Sequence, residues 1–160
     1  MVDKKALIKK LEEMATADLA MITQAALAAH QAATHAESKA EDQYDTRGLE
    51  ASYLAGAQSK RAMELEELVN LFRHIDITTF TCETSIASTA LVELGHEGKS
   101  LFYLLMPKGG GMSLTFADKL IQVVTPLAPM GRALLGKRVG DEFEVSIQKA
   151  ARDYEVLGVW

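Results

Sequence analysis

Apolar residues in the first half of the chain recur at helical spacing. Ile8, Leu11, Ala15, Ile22, Ala25, Ala29, Ala32 and Ala36 follow steps of three and four, the seam of a coiled coil, with Asp18 at the one skipped place. A second stripe runs through Ala51, Ala55, Gln58, Ala62, Leu65, Val69 and Phe72. Residues 37–46 between them are polar and lack seam periodicity. Asp45 or Thr46 suits the cap of the second helix, because a side-chain oxygen there takes up an orphaned backbone N–H. Two stripes around one short polar break predict an antiparallel helical hairpin. Its seam changes along its length: mostly alanine near the break, but Leu7, Ile8, Leu11, Leu65, Leu68, Val69 and Phe72 at the base. Alanine buries little apolar area, so the far end should be thin, and arms of about 30 residues project roughly 45 Å.

The second half has a different pattern. Residues 2–47 contain neither glycine nor proline, whereas Pro107, Pro126 and Pro129 all lie late in the chain. Short strands joined by turns are therefore predicted: 86–94, a turn at Gly95-His96-Glu97-Gly98, 100–106, a glycine loop at 107–111, 112–116, 120–124, 142–147 and 154–159. Residues 129–135 suit a short helix, with proline in its first turn and Gly136 as its stop. The prediction is an α+β chain. A coiled-coil hairpin occupies residues 1–76, and a largely antiparallel sheet with one short helix occupies 77–160, the boundary falling near 74–79.

Composition narrows the function. The chain has 160 residues and carries 22 acidic against 17 basic side chains, a formal charge of -5, which disfavours a role resting on nucleic-acid phosphates. Cys82 is the single cysteine, so neither an internal disulfide nor a CxxC site can form, and a buried or half-buried structural thiol is expected. No apolar run reaches the length of a membrane span, no secretory leader is apparent, and a cytoplasmic, membrane-free setting is expected.

Candidate chemistry is sparse. His30 and His35 lie five apart on a helix and do not share a face; His74 and His96 fall at the boundary and in a turn. Lys108-Gly109-Gly110-Gly111 lacks the Gly-Lys-Ser/Thr ending of a phosphate loop, and no serine sits in a GxSxG context. What remains is the polar break, where Glu37, Glu41, Asp42 and Asp45 stand close together with only Lys39 among them. Carboxylates suit Mg²⁺, which is commonly held by one or two of them together with phosphates and water, yet alone they form no rigid cage and no stable metal site. An acidic helix–helix turn is the competing reading.

Residues 124–141 carry Pro126, Leu127, Pro129, Gly131, Arg132, Ala133, Leu134, Leu135, Gly136, Lys137, Gly140 and Asp141. This run strongly resembles the C-terminal signature of the Gre transcript-cleavage and elongation factors, and the length and the N-terminal hairpin agree. The resemblance implies an FKBP-like sheet domain whose signature residues (Pro126, Pro129, Gly131, Arg132, Gly136, Lys137, Gly140 and Asp141) dock it on bacterial RNA polymerase at the rim of the secondary channel. It also implies a hairpin that passes through the channel. The tip carboxylates Glu37, Glu41, Asp42 and Asp45 would then share the polymerase's Mg²⁺ and promote hydrolysis of the 3′ end of backtracked RNA, an indirect partner. The chain would have no active site or cofactor of its own and would act as a monomer.

The tip differs from the family pattern of an Asp and a Glu three apart. Aligning on Glu41-Asp42 puts Ser38 in the Asp place and leaves Glu37 one position away. Either Asp42 and Asp45 take over the roles, or the chain occupies the channel and modulates the polymerase without cleavage. Two other classes are an FKBP-like prolyl isomerase or chaperone module, disfavoured by an aromatic content of 6%, and an adaptor dimerising through its hairpin.

Overall fold

In the computed structural model of the chain, residues 3–34, 47–147 and 150–160 are described. The polar break and its carboxylates, with the capping positions 45 and 46, lie outside these residues. The chain divides into two compact units: Lys9–His74, and Met1–Ile8 together with Ile75–Trp160.

The first unit is helical. Helix α1 spans Lys4–Thr34 and α2 spans Arg47–His74. The unit is built from α2 and from α1 after its opening residues, which belong to the second unit. Asp3 begins α1, its carboxylate accepting from the N–H groups of Lys5 and Ala6 at 2.9 and 3.2 Å. Arg73 and His74 in the last turn of α2 suit the negative end of its dipole. The Arg73 guanidinium Nε meets Glu12 Oε1 at 2.9 Å. The end of α2 therefore lies beside the start of α1, so the helices run antiparallel.

On α2 the predicted stripe is matched from Gln58 onward: Leu65, Val69 and Phe72 are buried and Gln58 and Ala62 half-buried. On α1 it departs from the prediction. Asp18 and Ala25 are exposed, while Leu19 and Ala26 are half-buried between buried Ala15 and Ala29. A step of four after Ala15 keeps an apolar residue on the seam and lets the carboxylate stay in water, avoiding the cost of burying an unpaired charge.

The second unit is a six-stranded sheet in the order β3-β4-β2-β1-β6-β5. Its strands are β1 Leu91–His96, β2 Lys99–Leu105, β3 Ser113–Phe116, β4 Lys119–Val124, β5 Glu142–Ile147 and β6 Ala150–Val159, with helix α3 at Pro129–Leu134. Every neighbouring pair is antiparallel except β2 and β4, which run parallel. The parallel pair arises because β3 lies on the sheet edge and the chain then turns back to place β4 against β2. Two-residue turns with positive φ close the β1–β2 and β3–β4 hairpins: Glu97 and Gly98 after β1, Ala117 and Asp118 after β3. His96 therefore ends strand β1 rather than sitting in the turn.

The core lies between α3 and one face of the sheet. Val92, Leu94, Leu105, Tyr154 and Val156 from the strands meet Met130 and Leu134 from the helix, with Ile86 and Phe80 completing the cluster. The predicted strand at 86–94 begins only at Leu91. Its first residues are used elsewhere: Ile86 exchanges backbone hydrogen bonds with Gly136 and Lys137 at 2.9 and 2.7 Å, and a turn follows at 87–90. Cys82 is exposed, contrary to the expected buried thiol. A thiol needs no burial, and the apolar anchors of its segment are Phe80 and Ile86 instead.

Candidate functional site

The signature residues after β4 form one continuous structure, and most of them have a backbone task. Thr125 follows the strand and its carbonyl accepts from Ala128 N–H at 2.9 Å, closing a turn around Pro126 and Leu127. Pro129 then starts α3 at a position where a missing N–H costs nothing. Gly131 is buried against the same carbonyl: a Cβ there would lie 2.0 Å from Thr125 O. Arg132 turns back, its Nη2 donating to Leu127 O at 3.2 Å.

The rest of the signature ends the helix and re-enters the sheet. Gly136 takes φ 78°, the left-handed conformation that terminates α3 after Leu135 N–H bonds Gly131 O. Lys137 places its ammonium 5.9 Å from the centre of the Phe143 ring. Gly140 takes φ 88° and donates to Val156 O at 2.8 Å. Asp141 Oδ2 accepts from Arg138 N–H at 2.9 Å, and the Arg138 Nε donates to Ser85 Oγ at 3.1 Å.

What this frame presents to solvent is Leu127. At 83% relative exposure it is the most exposed of the large apolar side chains among the described residues. Nothing in the hydrophobic periodicity marked it, because a leucine between two prolines belongs to no stripe. Beside it runs a groove of about 620 Å³ lined by Gly110, Gly111, Met112, Val123, Thr125 and Leu127. The glycine loop forms its wall. Gly109 and Gly111 adopt positive φ, and Gly111 N–H bonds Val123 O at 3.0 Å, so the loop is tied to the sheet rather than shaped around a phosphate.

A second, more polar groove of about 730 Å³ lies at the other end of the sheet, with Glu97, Glu142, Glu144, Asp153, Glu155 and Lys99 among its lining residues. Two pairs of like charges stand directly opposite one another across β5 and β6, Glu142 with Glu155 and Glu144 with Asp153. Behind them His96 Nδ1 contacts Asp153 O at 2.8 Å, and its ring lies 4.8 Å from that of Tyr154. His74 Nδ1 contacts Asn70 O at 3.0 Å. Among the described residues no group of three or more His, Cys, Asp or Glu side chains is placed to hold a metal ion, and no helix is long and apolar enough to cross a membrane.

The signature thus forms one continuous stretch through the 125–128 turn, α3 and the return to the sheet, while Glu37, Glu41, Asp42 and Asp45 lie outside the described residues. Residues 117–160 match the family model described as transcription elongation factor, GreA/GreB, C-term. Transcription elongation factor GreA of Syntrophus aciditrophicus (strain SB) is 26% identical over 130 residues, 81% of this chain and 74% of that protein. The GreA of Chelativorans sp. (strain BNC1) is 34% identical over 101 residues, 62% of this chain and 60% of that protein. Among solved structures, GreA factor homolog 1 (Gfh1) of Thermus thermophilus is similar at 23% identity and a TM-score of 0.39, covering 93% of this chain and 94% of that one.

Proposed function

We propose, starting from a C-terminal segment that belongs to the GreA/GreB family, that the chain is a transcription elongation factor acting on bacterial RNA polymerase. The observation that carries this reading is the construction of residues 125–141. Gly131 and Arg132 hold the 125–128 turn in one conformation, and that turn exposes Leu127, while Gly136, Gly140 and Asp141 end α3 and lead the chain back to the sheet. A fixed apolar side chain beside a groove suits a protein partner, because little ordering entropy is lost on docking.

In this reading the sheet unit docks at the rim of the polymerase's secondary channel through the 125–141 loop. The two antiparallel helices, of 31 and 28 residues, form a rod about 45 Å long at 1.5 Å rise per residue. That reach suits entry into a narrow channel. The carboxylates Glu41, Asp42 and Asp45, with Glu37 nearby, supply oxygen ligands in trans to a Mg²⁺ ion that belongs to the polymerase. That ion would supply Lewis-acid charge stabilisation to phosphodiester hydrolysis, with these carboxylates holding it. The chain itself holds a position and contributes charge, while the polymerase performs the chemistry on backtracked RNA.

A second reading rests on Ser38, which falls at the place of the family's tip Asp when the tip is aligned on Glu41-Asp42. A serine hydroxyl is a far weaker Mg²⁺ ligand than a carboxylate, so the chain would occupy the channel and modulate the polymerase without cleavage. Backtracked elongation complexes separate the two. Faster release of short 3′ RNA fragments supports the first; competition with an active cleavage factor, without fragment release, supports the second. Failure to bind the polymerase rejects both.

A further inference from the structure

Lys4, in the first turn of α1, reaches into the segment that joins α2 to β1. Its Nζ donates to Thr78 O and, at 3.1 Å, to Thr89 O, and it lies 4.7 Å from the centre of the Phe80 ring. The two carbonyls belong to residues that also hold each other: Thr78 N–H donates to Thr89 Oγ1 at 3.1 Å. Thr89 is buried at 2% relative exposure and takes φ 71°. A β-branched residue in the left-handed region is strained and persists only where its surroundings hold it. Its own N–H bonds Leu105 O at 2.8 Å, fixing one side of the strained residue to the sheet. Lys4 fixes the other side.

From this juxtaposition we infer that Lys4 is the pin of a latch that closes the 78–89 segment, and that acylation of its side-chain amine by a thioester opens it. The amine nitrogen bonds the thioester carbonyl carbon, the C–S bond breaks, and the thiolate leaves and takes up the proton the nitrogen loses. The argument is one of donor count. An ammonium has three N–H donors and a neutral amine has two, so either can serve both carbonyls. An Nε-acyl group leaves a single N–H and removes the charge that attracts the Phe80 ring. At least one of Thr78 O and Thr89 O then loses its partner, and the strain at Thr89 is no longer held. The 75–90 segment is the covalent path from α2 into β1, so the latch governs how freely that path moves.

Placing Nε-acetyl-lysine at position 4 of the full chain, and measuring amide hydrogen exchange residue by residue, tests this. The Thr78 and Thr89 amides should exchange at least ten-fold faster than in the unmodified chain, while Val156 and Trp160, bonded within the sheet, keep their protection as a folding control. Lys4→Met should behave likewise, and Lys4→Arg, which retains several donors, should keep most of the protection. A coupling test stands beside these in case acetylation perturbs folding. Thr89→Gly relieves the positive φ, so Lys4→Met should accelerate exchange less in that background than in the wild type. Unchanged protection at Thr78 and Thr89 in both the acetylated and the Met forms overturns the latch, as does strict additivity of Lys4→Met with Thr89→Gly.

Discussion

The carbonyl oxygen of Thr125 fills the space that any side chain at Gly131 would need, since a Cβ there would lie 2.0 Å away. The contact joins the end of β4 to the first turn of α3, and it fixes the turn that carries Leu127. Gly131→Ala is therefore expected to destabilise the chain by about 1–3 kcal/mol, the usual range for overpacking a tight site. Thermal unfolding reads the loss. Because the loop must move to admit the methyl group, polymerase binding should fall as well.

Leu127 itself should behave in the opposite way. At 83% exposure it contributes little to the folded chain, so Leu127→Asp should change stability by no more than about 0.5 kcal/mol. An apolar anchor at the centre of an interface commonly contributes more than about 1.4 kcal/mol, so the same variant should bind polymerase at least ten-fold more weakly. Paired unfolding and binding titrations check the separation. Equal losses in both would make Leu127 a folding residue.

The facing carboxylates of β5 and β6 give a stability prediction of unusual sign. Like charges directly opposite on neighbouring strands destabilise a sheet, and Glu142 faces Glu155 while Glu144 faces Asp153. Glu155→Gln should therefore raise stability, by a few tenths to about 1 kcal/mol. The gain should shrink in high salt, because exposed charges are screened. Urea unfolding of both chains at low and high ionic strength checks it.

Much of this was legible in the residue pattern, for physical reasons that differ between the halves. Leu65, Val69 and Phe72 announced the α2 seam because a helix repeats its buried face at a fixed interval. On α1 the same rule misplaced the seam at Asp18, since a coiled-coil step can lengthen by one to keep Leu19 inside and a carboxylate in water. The β5 bounds were readable from alternation, whereas β1 was predicted too early. Ile86 looks like a strand residue but gives its backbone hydrogen bonds to Gly136 and Lys137, a long-range pairing that no local pattern records. The signature residues were legible as a group, but their division of labour was not. Gly131 and Arg132 hold the 125–128 turn, Gly136, Gly140 and Asp141 end α3 and re-enter the sheet, and the side chain the turn exposes, Leu127, stood outside every periodicity.

Lys4 yields a pH prediction. Burial pulls its ammonium from the ordinary 10.5 down to about 8. Between those values the unfolded chain holds the proton that the folded chain has released, so folding stability contributed by this group rises as pH increases from about 8 to 10.5. The neutral amine still offers two donors to Thr78 O and Thr89 O, so the deprotonated side chain keeps its hydrogen bonds. Urea midpoints for wild type and Lys4→Met across this window should diverge in favour of the wild type with rising pH. Parallel curves would contradict the assignment.

The most direct test of the central claim is transcript release from a backtracked RNA polymerase complex, measured with three chains. The wild type should bind and accelerate loss of short 3′ fragments. Glu41→Ala with Asp42→Ala should bind equally well but leave release at the polymerase's own rate, and Leu127→Asp should do neither at the same concentration. A wild-type chain that neither binds the complex nor alters the fate of its RNA would contradict the account.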